Sequence, residues 1–233
     1  MSLCAVWGAP QSGKTTLTVN LAYAVSQGEK SVCLISPTSY SELSAFLGIN
    51  IPEKQSLYAA LRGGEGIRQC VFKVDELLYI LAAPVTSDAF NGGDYTGEQV
   101  KALLEVAEST FDAVIVDCPS DLSNLFSAWT LNRADIVILN TGGRSACVMW
   151  YAANKKALQA IEHKAVRVSS EVTSDFDYDA MYQLLGCMPD IRVPYVREAA
   201  LLQNESNYLY ELPGKKGWAY ARAINQLYEV ITL

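Results

Sequence analysis

The sequence is short of several things, and each shortage excludes a class of protein. No apolar run approaches the roughly 20 residues that a helix needs to cross a bilayer, although 50% of the 233 residues are hydrophobic. Histidine occurs once, as His163, so a zinc site built on histidines is excluded. Its place at the polar end of a helix-like run suits the surface. The six cysteines (4, 33, 70, 118, 147 and 187) form no C-x-x-C pair. Several lie inside apolar runs such as "SVCLIS" and read as reduced core residues rather than a disulfide framework. Positive charge is in the minority, with 18 Lys and Arg against 25 Asp and Glu and a net charge of −7. That field repels nucleic-acid backbones and disfavours direct nucleic-acid binding. Lys155, Lys156, Lys164 and Arg167 form a local basic cluster that reads as a solvated helix face. The N-terminal "MSLCAVW" has neither a basic region nor a small-residue cleavage site. It reads directly as a strand, and the expectation is a cytoplasmic protein.

What is present is a regular alternation. "LCAVW" (3–7) is followed by a Gly-rich turn and the helix-like "KTTLTVNLAYAVSQG", which stops at Gly28. "SVCLI" (31–35) reads as a buried strand, and "YSELSAFLG" as a short helix ending on Gly48. "RQCVFKV" and "LLYILAA" flank Asp75-Glu76 and read as neighbouring strands, the second deep in the core. After the turn-rich "FNGGDYTG" come a helix over 98–109, the strand "DAVIVD" (112–117), a helix near 121–132 and the strand "DIVILN" (135–140). A helix over 145–161, a strand over 165–169, a helix near 178–186, the strand "IRVP" and the helical "GWAYARAINQLYEVITL" complete the chain. Continuously apolar strands separated by helices imply a parallel sheet covered on both faces. The expected fold is therefore α/β: a single three-layer domain over residues 1–233, mostly parallel twisted sheet with helices on both faces. No repeat, low-complexity tract or linker interrupts it.

The chemistry begins at Gly8-Ala9-Pro10-Gln11-Ser12-Gly13-Lys14-Thr15, which fits G-x-x-x-x-G-K-[ST] and lies between an apolar strand and a helix. Its glycines let the backbone wrap phosphates, with successive N–H groups through Thr16 and the helix N-terminus facing the anion. Lys14 supplies charge to the β- and γ-phosphates, and the Thr15 hydroxyl is a ligand for Mg²⁺. "FDAVIVDCPSD" is the natural second half. A carboxylate at Asp117, ending an apolar strand, costs free energy unless it faces a cleft or a cation. Asp117 is thus expected to hold the Mg²⁺ shell, and Pro119-Ser120-Asp121 to sense the γ-phosphate. Ser120 or Asp121 also suits the N-cap of the next helix, and the two readings are compatible.

On these motifs the chain resembles the ParA/MinD family of P-loop ATPases. The matching segments run in order: "GAPQSGKTTLTVNLAYAVSQGEKSVCLI", "LLYILAAP", "FDAVIVDCPS", "ADIVILNT" and "IRVPYVREA". The resemblance implies the P-loop NTPase fold, ATP or ADP with Mg²⁺ at the loop (Asp117 acting through water), and Pro194 beside the nucleotide. It also implies a homodimer closed over two nucleotides and a protein partner in a larger assembly, with any membrane reached only through that partner. Departures from the family pattern are just as specific. The family's G-K-G-G opening, whose lysine reaches the partner's phosphates, is here Gly8-Ala9-Pro10-Gln11. The D-x-D that ends its second strand corresponds to Ser36-Pro37-Thr38, and its adenine-reading asparagine is replaced near Ser169-Ser170. Each change removes a transition-state or orienting group and leaves the cradle. The expectation is retained binding with weak or absent hydrolysis, Lys14, Asp117 and Asp121 being the catalytic candidates. Arg144 or Arg197 is a candidate for the missing lysine's role. Such divergent loops are similar to those of the TadZ/CpaE-like pilus-assembly branch and of relatives on mobile elements. A scaffold that keeps the fold without responding to nucleotide is the alternative.

Other signals read more plainly. Asp175, Asp177 and Asp179 alternate as in a Ca²⁺ loop, but Ala180 and Gly186 stand where glycine and glutamate are needed. A capping loop is expected there. The last helix places Ala219, Ala223, Leu227, Val230 and Ile231 near helical spacing, and with only Arg222 on its polar side it is expected to pack on the sheet. The Tyr-rich "NYLYELPGKKGWAY" fits an ordinary core as well as an interface.

Overall fold

The computed structural model describes residues 2–40, 42–63, 66–88 and 95–232. Its centre is an eight-stranded sheet in the order β3-β4-β2-β5-β1-β6-β7-β8. The strands are β1 (Ser2–Gly8), β2 (Val32–Ser36), β3 (Phe72–Lys73), β4 (Leu78–Ala82), β5 (Ala113–Asp117), β6 (Ile136–Gly142), β7 (Ala165–Ser170) and β8 (Ile191–Val193). All neighbours pair in parallel except β3 and β4, which are antiparallel. The helices are α1 (Lys14–Gln27), α2 (Glu42–Leu47), α3 (Leu57–Arg62), α4 (Ile67–Cys70), α5 (Gly97–Thr110), α6 (Leu125–Arg133), α7 (Ser145–Ala153), α8 (Lys155–Ile161), α9 (Tyr178–Leu185), α10 (Ala199–Asn204) and α11 (Gly214–Thr232).

The two-residue period of a strand sends alternate side chains to opposite faces, and β1 shows the consequence. Leu3, Ala5 and Trp7 join a core with Leu57, Ile67, Leu104, Phe126 and Leu158 from α3, α4, α5, α6 and α8. Cys4 and Val6 join the opposite core with Leu17, Leu21 and Val25 of α1 and Ile224 and Leu227 of α11. The sheet is thus covered on both faces, as expected for its continuously apolar strands. Five of the six cysteines are buried, and no disulfide joins any of them among the described residues.

Element boundaries differ from the sequence reading where local polar chemistry intervenes. The expected strand at 68–74 starts as helix α4, because Ile67, Cys70 and Val71 recur at helical spacing and are all buried. The helix expected over 145–161 is broken at Asn154, whose side-chain amide donates to the Trp150 carbonyl at 2.8 Å. The helix expected near 121–132 begins at Leu125, since the Asn124 side-chain oxygen Oδ1 accepts from the N–H groups of Phe126 and Ser127. Helices α3 and α10 were not foreseen; the Ser56 hydroxyl caps the first of them. Within the turn-rich "FNGGDYTG", residues 90–94 lie outside the described residues, while Thr96 and Gln99 form a capping box that starts α5.

The buried stripe of α11 is Gly217, Tyr220, Ala223, Ile224, Leu227 and Ile231. Ala219 is exposed and Val230 only half-buried, so these two leave the expected stripe: each lies about 100° from the core-facing residue beside it. The tyrosines of the preceding segment pack inward, with Tyr208 stacked on Tyr23 at 3.9 Å between ring centroids. No helix among the described residues is long and apolar enough to cross a membrane. Leu227→Ala should cost about 2–5 kcal/mol in chemical denaturation, and Val230→Ala should cost less than about 1 kcal/mol. Equal losses would contradict the assigned stripe.

Candidate functional site

The C-terminal ends of β1, β5 and β6 meet at one edge of the sheet, and the Gly8–Thr15 loop crosses there. At Gly8 a Cβ would overlap the carbonyl oxygen of Asn140 on β6, so only glycine lets the loop leave the strand this close to its neighbour. Gly13, in the left-handed region at φ 82°, turns the chain into α1. Gln11 also has positive φ, 55°, where the family pattern has glycine. Ala9 and Ser12 are buried, whereas Pro10 and Gln11 are exposed at the loop's crest.

The loop is held by hydrogen bonds from within itself and from the sheet. The Ser12 hydroxyl donates to the Ala9 carbonyl at 2.8 Å. The Asn140 side-chain amide donates to the Ser12 carbonyl at 2.8 Å, and its oxygen accepts from the Ser170 hydroxyl at 2.8 Å. Asn140 is fully buried. The sequence reading missed it, although an asparagine interrupting the apolar "DIVILN" strand was a visible signal.

Lys14 Nζ folds back to donate to the Ala9 carbonyl and to the Ser120 hydroxyl, both at 2.9 Å. The Thr15 hydroxyl donates to Asp117 Oδ2 at 2.7 Å. Burial drives both charged groups toward neutrality. The Asp117 carboxyl is pushed up to about 6 by burial, against the Thr15 hydrogen bond and the Lys14 charge that pull it down. Burial likewise lowers Lys14, with the Asp117 charge opposing the shift. A cleft of about 440 Å³ opens over Lys14, Thr15, Asp117 and Ser120. Thr15 and Asp117 offer the hard oxygen donors that suit Mg²⁺.

Thr16 faces the other side of the loop, where its hydroxyl accepts from Gln203 Nε2 of α10 at 2.7 Å. A second cavity, of about 270 Å³, begins there. Gly13, Thr16 and Val172 line both spaces, so the two are contiguous around the loop. Pro194 lies on the wall of the second cavity, as does Arg197.

Other candidates lie elsewhere. The Asp121 carboxylate is exposed and accepts from the Ser123 N–H at 2.9 Å; it does not line the cleft among the described residues. Arg144 is exposed at the start of α7 and lines neither cavity. At the end of β2, Ser36 is buried and its hydroxyl has no partner among the described residues, and the Thr38 hydroxyl donates to the Tyr40 carbonyl. Glu42 of α2, which the sequence reading passed over, is the acidic side chain that joins Asp117 in lining the cleft. Ser170 lies on the second cavity with its proton committed to Asn140.

In the basic cluster, Lys164 donates to the carbonyls of Asn132 and Ala134, and Arg167 pairs with Glu162 at 2.8 Å. His163 is exposed. Asp177 caps α9 and Asp179 pairs with Arg192. No group of metal-binding side chains of three or more occurs among the described residues.

The model of the AAA domain family matches residues 11–149. The septum site-determining protein MinD of Bacillus subtilis is 31% identical over 138 residues, 58% of this chain and 50% of that protein; the match spans about half the length of that relative. The fold matches MinD of Pyrococcus horikoshii, solved with Mg-ADP, at a TM-score of 0.78 and 18% identity, over 98% of this chain and 95% of that one. A ParA family ATPase from Chlorobium tepidum matches at a TM-score of 0.78 and 17% identity, over 98% of both chains. With a strand-loop-helix cradle, a partnered Thr15–Asp117 pair and a family match over more than half its length, the chain belongs to the AAA domain family, among its ParA/MinD-type P-loop ATPases.

Proposed function

We propose that the chain is an MgATP-binding switch with slow or absent hydrolysis, whose nucleotide state biases a homodimer that recruits a protein partner. The observation that carries this reading is the convergence of Lys14, Thr15 and Asp117 on one cleft, with Lys14 and Asp117 both destabilised as charges by burial. Bound phosphates would re-solvate the Lys14 ammonium, drawing Nζ from the Ala9 carbonyl. Thr15 and Asp117 would hold Mg²⁺, Asp117 through water. When bound there, the metal would supply charge neutralisation to the phosphate oxygens. Asn140 keeps the loop's N–H groups directed inward, and the adjoining cavity with Pro194 takes the nucleoside, as ATP or ADP.

Slow turnover follows from what faces the γ-phosphate position. Ala9 brings no cation to a partner's phosphates, and Ser36 and Thr38 bring no carboxylate to a water. Exposed Asp121 is turned to its own loop, which leaves Glu42 as the acid best placed to orient water. The partner complex fits a pilus, secretion or mobile-element assembly, by resemblance to divergent members with similar loops. The protein would act in the cytoplasm and reach the inner face of a membrane through that partner.

Calorimetric titration of MgATP and MgADP into folded, nucleotide-free protein should give one site per chain, weakened at least 100-fold by Lys14→Ala. Sedimentation should show a heavier species with MgATP than with MgADP. Absence of binding for both nucleotides would replace the switch with a scaffold, and equal mass in every nucleotide state would remove the dimer from it.

The Asp117 carboxyl gives a pH test. Its folded value, about 6, lies above the ordinary 3.8, so the folded state binds a proton that the unfolded state has released. Stability is therefore lost as pH rises from about 4 through about 6, and stays lost above. Asp117→Asn should stabilise nucleotide-free protein by roughly 1–3 kcal/mol at pH 7.5, with the gain vanishing near pH 4. A pH-independent difference in denaturation midpoints would contradict the assignment.

A further inference from the structure

The cavity beyond Gly13 is mainly apolar, walled by residues such as Leu17, Val172 and Pro194. Its polar chemistry rests on a few side chains, and some are already committed. The Ser170 hydroxyl donates to Asn140, and Gln203 Nε2 donates to Thr16. Glu171 is the carboxylate on the cavity wall. It is fixed just past the end of β7, where its own N–H donates to the Val193 carbonyl at 2.9 Å and its Oε2 accepts from the Tyr195 N–H at 3.3 Å. Tyr220 also lines the cavity and is 4% exposed. The exposed Arg197 completes the polar wall.

We propose that Glu171 reads the base of the bound nucleotide, and that this pocket takes guanine nucleotides at least as well as adenine nucleotides. The inference rests on the nucleotide-binding reading above. An ionised carboxylate only accepts hydrogen bonds. Guanine presents the N1–H and the 2-amino group side by side, two donors that match two carboxylate oxygens, and its O6 next to them suits a guanidinium such as that of Arg197. Adenine presents one amino donor beside the N1 acceptor, so a carboxylate meets lone pairs with lone pairs at the second position. An amide, with one donor and one acceptor, suits adenine instead. The Tyr220 hydroxyl serves as donor or acceptor, and so supports either purine without choosing between them. A matched pair of hydrogen bonds to a base edge discriminates roughly ten- to hundredfold.

Competition titrations with MgATP and MgGTP test this on wild type and on Glu171→Gln, whose side chain keeps the oxygen that accepts from Tyr195. Wild type should bind MgGTP at least as tightly as MgATP. Glu171→Gln should shift the ratio of the two affinities about tenfold or more toward ATP, with the melting temperature of the nucleotide-free protein unchanged. Wild type that holds ATP and rejects GTP overturns the proposal without needing the variant. An unchanged ratio in a folded Glu171→Gln protein overturns it too, and both results leave the nucleotide-binding reading standing. Binding of neither nucleotide to folded wild type removes that reading and this one together.

Discussion

The site depends on one buried amide. Asn140 ties the Ser12 carbonyl, on the phosphate loop, to the Ser170 hydroxyl, on the next strand. A loop that turns its N–H groups toward a ligand must turn carbonyls outward, and a buried carbonyl without a partner is costly. Asn140 answers that need from the sheet itself, whose strand β6 approaches so closely that only glycine fits at position 8. The same residue fixes the cradle to the wall of the neighbouring cavity. Asn140 therefore joins the phosphate end to the nucleoside end through one buried side chain.

Around that fixed loop the charges are held ready rather than satisfied. Lys14 and Asp117 are both buried, and burial shifts each toward its neutral form. The contacts they make in this state are substitutes: a carbonyl and a hydroxyl for the lysine, a threonine proton for the carboxylate. Functional sites commonly hold such perturbed groups, and the cost is carried by the surrounding fold. Here that fold is extensive, with one core on each face of the sheet.

Much of this was legible in the sequence. Continuous apolar runs such as "AVIVD" marked the parallel strands, and the Gly8–Thr15 spacing marked the cradle, because both patterns reflect local backbone requirements. The carboxylate at Asp117 stood out for the same reason, a charge at the end of an apolar strand. What escaped notice depends on contacts distant in the chain. Asn140 meets Ser12 across 128 residues, and Gln203 meets Thr16 across 187. Glu42 reaches the cleft from a helix whose sequence reads as ordinary surface. Asp121 went the other way: adjacent to the right motif, it turned to the Ser123 N–H, a local bond that its position in a tight turn favours. The break at Asn154 and the start of α6 at Leu125 were likewise set by single side-chain amides, which apolar periodicity does not register.

The most direct test of a cradle held ready by Asn140 is a crystal structure with Mg²⁺ and a non-hydrolysable nucleoside triphosphate. Lys14 Nζ should leave the Ala9 carbonyl for the β- and γ-phosphates, and the Thr15 hydroxyl should turn from Asp117 to the metal. The Asn140 bonds to Ser12 and Ser170 should stay in place. A bound nucleotide with Lys14 still on the Ala9 carbonyl, or a loop that abandons Asn140 to admit the phosphates, would contradict it.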